Sequence, residues 1–485
     1  MTTLDNNPFQ VYSPLYDEHD YTIDEVTGEL PAELRGTVYR NGPGKMEAGG
    51  TPLGHIFDGD GMLSMYSMSD GRVRFRNRFV QTKHYQRSII SDGAPFRALG
   101  TMRDGGLLAN ALRFPANVAN TGVIMNAGKL LALWEGGRPT ELDPDTLRTK
   151  GEYDYDGELK WLGAFSAHPK WDRDTGEMFN FGLAMVPVPK LICYRVDRQG
   201  KLSRLGQVNL PGPMFNHDMG LTKRYLVFVI PPLVFPLHKF FGAALGLRNY
   251  IDAIDYKASV GTTIALVPRD GGKTRILHTD PMLHLHFANA YDDENGDVVV
   301  DVLNYHATWE QLNGQLAGVE TLMETSTMPY GGLPTRVRIT GSGKVTVDEF
   351  SDVPGEFPMI NIDRMARPNR YFYLSAATGG SLFPNALAKF DKQTGRETMF
   401  QFPDNHLPHE VIFAARPGAT EEDDGWLIEP VLDGTTNTAS LYIFDARDVA
   451  GGPVYVGRLR HHLPLSFHGC YTPRVAQTRG PAVMR

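Results

Sequence analysis

Residues 283–291 read Leu283-His-Leu-His-Phe-Ala-Asn-Ala-Tyr291. The run is strand-like, and the two-residue period of a strand puts His284 and His286 on one face. An imidazole inside an apolar strand needs a partner for each ring nitrogen, or the fold loses the desolvation energy of the bare one. A backbone carbonyl can be that partner, as in an ordinary core histidine, and so can a metal ion. Three more histidines stand in apolar or turn-forming settings: His168 in Phe165-Ser-Ala-His-Pro169, His217 in Met214-Phe-Asn-His-Asp-Met-Gly220, and His468 in Leu465-Ser-Phe-His-Gly469. None has a partner at helical or zinc-knuckle spacing. For these four to meet, the fold has to bring distant strand ends to a common axis.

The rest of the chain reads as such a fold. Met62–Ser67 turns at Asp70-Gly71 into Arg72–Thr82, Leu191–Asp197 turns at Gln199-Gly200, and Ala386–Phe390 turns at Thr394-Gly395 into Glu397–Phe402. These are hairpin signals. The same grammar recurs after Lys129–Trp134, Thr263–Pro268 and Arg336–Thr340, while Gly36–Gly44 reads as a short strand broken by a glycine turn. Many hairpins without sustained helical periodicity predict an all-β ring of sheets, a β-propeller. No strict repeat sets the number of blades. With no low-complexity tract to divide it, the chain 1–485 is expected to form one domain, with residues 1–30 as an N-terminal arm.

Composition excludes several classes. A net charge of −8 with interspersed signs offers no basic stripe for nucleic acid. Two cysteines, Cys193 and Cys470, exclude a disulfide framework, and the first residues lack a secretory leader, so a cytoplasmic location is expected. Val227 to Leu247 is apolar but broken by prolines and by His238-Lys239. It reads either as an apolar entrance that touches the membrane surface, peripherally at the inner face of the cytoplasmic membrane, or as a loop buried against the core.

Four neutral imidazoles would hold a borderline first-row ion, and Fe(II) fits better than zinc, whose structural sites favour thiolates. Such a site calls for carboxylates on the far ring nitrogens. Candidates are Glu135, Glu356 and Glu410, each in an apolar context where the plainer reading is a strand end reaching water.

Taken together, Arg40-Asn-Gly-Pro-Gly44, Phe57-Asp-Gly-Asp-Gly-Met62, Leu131-Ala-Leu-Trp-Glu-Gly-Gly137, Ser166-Ala-His-Pro169, His217-Asp218, His286-Phe-Ala-Asn-Ala290, Glu356-Phe-Pro358 and Leu465-Ser-Phe-His-Gly469 resemble the carotenoid cleavage oxygenase family, in the family's order and over nearly the whole chain. The resemblance is nearest to bacterial and cyanobacterial apocarotenoid oxygenases. It implies a seven-bladed propeller with Fe(II) on its axis, bound by His168, His217, His286 and His468, under a dome of loops and helices enclosing an apolar tunnel. It also implies that Glu135, Glu356 and Glu410 each orient one ligand ring, that His168 lacks such a Glu, and that the methyl of Thr121 crowds one open metal position. Trp134, Phe215, Tyr305, Phe357 and Phe467 are expected tunnel walls, although each could be ordinary core. The implied reaction is cleavage of a conjugated C=C bond of an apocarotenoid by O2 into two carbonyls. The alternative is cleavage of a hydroxystilbene; those relatives carry a Lys before the first of these glutamates, where this chain has Trp134. A retinoid-type isomerase and a non-catalytic propeller are the remaining readings.

Overall fold

The computed structural model describes residues 11–160, 163–316 and 330–477; the first ten residues of the expected arm lie outside them. Seven antiparallel sheets of four to six strands form the blades of a β-propeller, with two short two-stranded ribbons beside them. The hairpins expected from local turn chemistry are its units. Asp60–Ser69 pairs with Arg72–Phe79 around Asp70 and Gly71, both at positive φ (51° and 71°), the backbone that a two-residue hairpin requires. Lys190–Val196 pairs with Leu202–Asn209, and Ala386–Asp391 with Arg396–Gln401.

Blades bury their flat faces against each other. Val227, Val229, Ile264 and Leu266 of one blade pack on Phe287, Val298, Val300, Val302, Val337 and Ile339 of the next. Burial of each such side chain contributes roughly 1.5–3 kcal/mol, so alternating β-branched residues hold the ring together. The ring is closed twice by strands from opposite ends of the chain. Gly469–Thr472 pairs with Gly36–Lys45 at the inner edge of the first blade, Arg40 opposite Gly469. Glu25–Gly28 in turn supplies the outer strand of the last blade, opposite Tyr455–Arg458.

Two sequence expectations change. Gly36–Lys45 is one continuous, fully buried ten-residue strand rather than a strand broken by a turn. Gly42 serves close approach instead, because a Cβ there would fall 2.5 Å from Leu465 O and from Ser466 Cα. The stretch Val227 to Leu247 divides into parts with different environments. Val227–Ile230 belongs to a buried strand and Phe235 is also buried, whereas helix Leu237–Ala244 and the turn after it expose Leu237, Phe241, Leu245 and Leu247.

Short helices and loops cover the face on which the inner strands begin. Asp58 accepts hydrogen bonds from Leu99 N, Gly100 N and Thr101 Oγ1, which anchors the loop above it. Arg97, buried, donates to Asn110 O (3.0 Å) and Arg248 O (2.6 Å) and lies over the Tyr250 ring, tying helix Gly106–Asn110 to the segment after helix Leu237–Ala244.

Candidate metal centre

Each blade contributes one residue to the axis where its innermost strand begins. Thr121 precedes Gly122–Asn126, His168 precedes Lys170–Asp172, His217 precedes Gly220–Leu221, Glu410 precedes Ile412–Ala415 and His468 precedes Gly469–Thr472. His286 and Glu356 lie in the first turn-side residues of His284–Asp292 and Gly355–Met359. Seven strand starts around one axis thus bring four imidazoles together, with Glu356 and Glu410 behind two of them.

The four histidines meet through Nε2. His168 to His217 is 2.8 Å, His217 to His286 is 3.2 Å, and His286 to His468 is 3.2 Å, and one ligand atom from each of the four lies within 4.8 Å of all the others. An ion bonded at about 2.1 Å holds neighbouring nitrogens about 3.0 Å apart at right angles and about 3.4 Å apart in a tetrahedron. The observed separations, 2.8 to 3.2 Å, are close to these values, so the four nitrogens could hold one such ion. Burial first, then the three neighbouring imidazoles, hold the His168 ring well below the usual histidine range. Burial likewise brings His468 down to about 4 against the pull of Glu410. Both rings are therefore neutral at pH 7, the form a metal requires.

Carboxylates stand behind three of the rings. His286 Nδ1–H donates to Glu356 Oε2 at 2.5 Å, and His468 Nδ1–H to Glu410 Oε1 at 2.8 Å. Glu135 Oε1 is 3.3 Å from His217 Nδ1 but off the axis of a hydrogen bond. Burial pushes the Glu356 carboxyl up; His286, the Tyr305 hydroxyl and Phe357 N outweigh it and hold the group below the usual range. Among the described residues no glutamate pairs with His168; the carboxylate near its Nδ1 is Asp218, at 3.9 Å.

Local sequence explains the aim of these groups. Gly355 permits the sheet to close over Glu356, since a Cβ there would meet Leu374 Cδ1 and Ser375 O. The register then shifts between Glu356 and Met359, with Phe357 at φ 57°, which turns the carboxylate inward and the Phe357 ring toward His286 and His468. The strand of His284 and His286 also shifts register, between His284 and Phe287. The two imidazoles consequently part, and His284 gives its Nε2–H to Val229 O at 2.6 Å as a core histidine.

Above the rings lies an apolar cavity of about 1030 Å³, a volume that includes the solvent at its mouth. Ile56, Phe57, Leu285, Tyr305, Phe357 and Phe467 wall it, and Thr121, His217, His286 and His468 open onto it. The Thr121 hydroxyl donates to Asn120 Oδ1 at 3.1 Å. Trp134 and Phe215 are not among the walls. The Trp134 indole lies over Gly136 and Gly137, and Phe215 packs into a cluster with Leu233, Phe235 and Trp309.

Two further residues, unassigned by sequence reasoning, support the centre. Arg40 donates through NH1 to Glu410 Oε2 and Glu410 O, both 2.7 Å, and through NH2 to Ser466 Oγ and Phe467 O. Asp218 accepts from Met219 N (2.6 Å) and Phe287 N (2.9 Å) and pairs with Lys170 Nζ (2.9 Å), binding three inner strands together. Their only sequence signal was membership in the Arg40-Asn-Gly-Pro-Gly44 and His217-Asp218 motifs.

Glu356→Gln is expected to keep the fold and to lower metal affinity or turnover by roughly 10- to 100-fold, the usual cost of altering a group behind a metal ligand. Metal analysis and steady-state rates of the purified variant measure this; wild-type values for both would reduce Glu356 to a packing residue.

Comparison with known proteins agrees with this geometry. The sequence profile described as retinal pigment epithelial membrane protein (RPE65) matches residues 12–473. Apocarotenoid-15,15'-oxygenase of Synechocystis is 33% identical, covering 94% of this chain and 94% of its own. Resveratrol cleavage oxygenase 1 of Aspergillus fumigatus is 30% identical, covering 92% of each. Among solved structures, cobalt-substituted Synechocystis apocarotenoid oxygenase superposes with a TM-score of 0.87 at 31% identity, over 96% of this chain and 99% of that one.

Proposed function

Because the chain belongs to the RPE65/carotenoid cleavage oxygenase family, we propose that it is a non-haem Fe(II) dioxygenase that cleaves a conjugated C=C bond of an apocarotenoid with O2 to give two carbonyl products. The observation that carries this is the convergence of four Nε2 atoms at the floor of an aromatic cavity. Bound by His168, His217, His286 and His468, Fe(II) would supply the electron exchange that lets O2 react with a closed-shell polyene. The chain's own residues do the rest. Glu356 and Glu410 hold the Nδ1 protons of their rings, so the Nε2 lone pairs face the axis. Phe357, Phe467 and Tyr305 offer flat surfaces along which a polyene can lie. An alkene and O2 become two carbonyls without gain or loss of a proton, and no general acid or base is required.

The test is labelled dioxygen under conditions that limit carbonyl exchange with water. Label in at least one product, with no need for NAD(P)H, is expected; label in neither, or a strict demand for an external reductant, overturns the mechanism. Running apocarotenals beside hydroxystilbenes separates the two substrate classes. The stilbene reading is favoured by the resveratrol-cleaving relative and opposed by Trp134, whose indole cannot do the work of a phenol-binding lysine.

Peripheral membrane contact forms part of the proposal. Among the described residues no helix is long and apolar enough to cross a bilayer. Leu108 (90% exposed), Leu112, Phe114 and Leu107 stand in the open beside Leu237, Phe241, Leu245 and Leu247. The two segments are joined by Leu112 N donating to Ala244 O. Replacing Leu108, Leu112 and Phe241 by Ser is expected to weaken liposome binding by more than roughly 100-fold, as three apolar side chains at about 1.5–3 kcal/mol each imply. Iron content should not change; unaltered flotation with liposomes would dismiss the membrane contact.

A further inference from the structure

The carboxylates behind the rings are held in three different ways. Glu410 receives the Arg40 guanidinium and Gly469 N, Glu135 Oε1 has no hydrogen-bond partner among the described residues, and Glu356 receives a phenol. The Tyr305 hydroxyl bonds to Glu356 Oε1, while Oε2 takes His286 Nδ1–H at 2.5 Å and Phe357 N at 2.9 Å. An ionised carboxylate only accepts, so the phenol is the donor. Burial, then the charge of Glu356, hold the hydroxyl well above its usual range and keep the proton on it.

Tyr305 and His286 come from the same hairpin, and Glu356 from the next blade. His284–Asp292 pairs with Val298–Asn304, His284 opposite Asn304. Tyr305 follows directly, its N donating to Leu283 O at 2.6 Å. Its ring packs in a cluster with Leu283, Leu285, Trp309 and Leu312. Two donors fixed on one hairpin thus clasp the two oxygens of a carboxylate from another. The last torsion of a glutamate is broad, so a carboxylate held through Oε2 alone keeps freedom to swing; the bond at Oε1 removes it.

Resting on the reading of the four histidines as a metal centre, we propose that Tyr305 is a positioning residue whose hydroxyl, by fixing Glu356, sets how His286 presents Nε2 to the metal. The ring is part of the cavity wall, and Tyr305→Phe keeps that wall while removing the clasp. Its cost therefore belongs in metal affinity and kcat rather than in KM.

The experiment titrates Co(II), whose visible absorption bands report the donor geometry, in competition with a chelator into wild type, Tyr305→Phe, Glu356→Gln and the double variant. Tyr305→Phe should bind Co(II) roughly 10-fold more weakly, the lower end of the cost of altering a group behind a metal ligand, with shifted bands. The double variant should bind no more weakly than Glu356→Gln, because both changes act through one carboxylate. With iron and an apocarotenal, kcat of Tyr305→Phe should fall while KM holds. Should Phe impair folding, 3-fluorotyrosine at position 305 replaces it, its more acidic hydroxyl again moving the bands. Wild-type affinity and bands in the altered protein, or losses that multiply in the double variant, overturn the assignment and leave Tyr305 a wall residue alone. If wild type binds no Co(II), the metal reading fails and the assignment with it; if it binds Co(II) but with iron cleaves no polyene, only the oxygenase reading fails.

Discussion

His286→Ala is expected to abolish iron retention and to reduce cleavage by more than the roughly 10- to 100-fold that alteration of an outer carboxylate costs. His286 is the central member of the chain of contacts, its Nε2 lying 3.2 Å from those of both His217 and His468. Without it three nitrogens remain, and the buried Glu356 loses the ring to which it is bound at 2.5 Å. Metal analysis after purification with added Fe(II), together with rates on an apocarotenal, checks the outcome. Full iron and full activity in a folded variant would mean that the four-histidine centre is not where the chemistry occurs. Glu356→Gln, which keeps all four imidazoles, should fall between wild type and this variant.

Arg40→Met is expected to destabilise the protein by about 3–5 kcal/mol at pH 7, the cost of removing one partner from a buried ion pair. Arg40 and Glu410 are both buried and 2.7 Å apart. Burial pushes the Glu410 carboxyl up, but His468 and Arg40 together hold it below the usual range. A depressed carboxyl contributes stability above its unfolded pKa, near 4.3, and loses it as pH falls through the folded value. The penalty in Arg40→Met should accordingly be largest at neutral pH and shrink as pH falls, first where Glu410 of the variant, without its cation, takes up a proton, and further only below the depressed folded value, where Arg40 of the wild type loses its counter-ion. Denaturant midpoints at pH 7 and pH 4 give the comparison; a penalty independent of pH would show that Arg40 acts by packing alone.

What could be read in advance was whatever is written locally. Asp70-Gly71 and Thr394-Gly395 announce their hairpins because a tight turn depends on the residues inside it. The four histidines stood out because polar rings in apolar strands are costly, and the ordered motifs separated them from the chain's other histidines. What depended on distant packing was hidden. His284 and His286 look equivalent under strand alternation, and only the register shift between His284 and Phe287 separates a core residue from a candidate ligand. Arg40 reads as an ordinary strand charge until Glu410 and Ser466, hundreds of residues away, are brought to it. Phe235 and Phe241 belong to one apolar stretch, yet one is buried and the other exposed, since that is set by what the helix rests on. Leu108 and Leu112 drew no attention because helix Gly106–Asn110 is too short to show a periodic face.

The pairing of Gly469–Thr472 with Gly36–Lys45 also sets a timetable for biogenesis. At a synthesis rate of about 5–20 residues per second, the first blade waits on the order of half a minute for its inner strand. Throughout that interval the ribosome-bound chain shows an unpaired edge along Gly36–Lys45, the kind of template on which other chains aggregate, and chaperone cover is most needed there. His468 arrives with the same closing segment. A nascent chain thus offers at most three of the four imidazoles, and the complete donor set exists only after translation has passed residue 468.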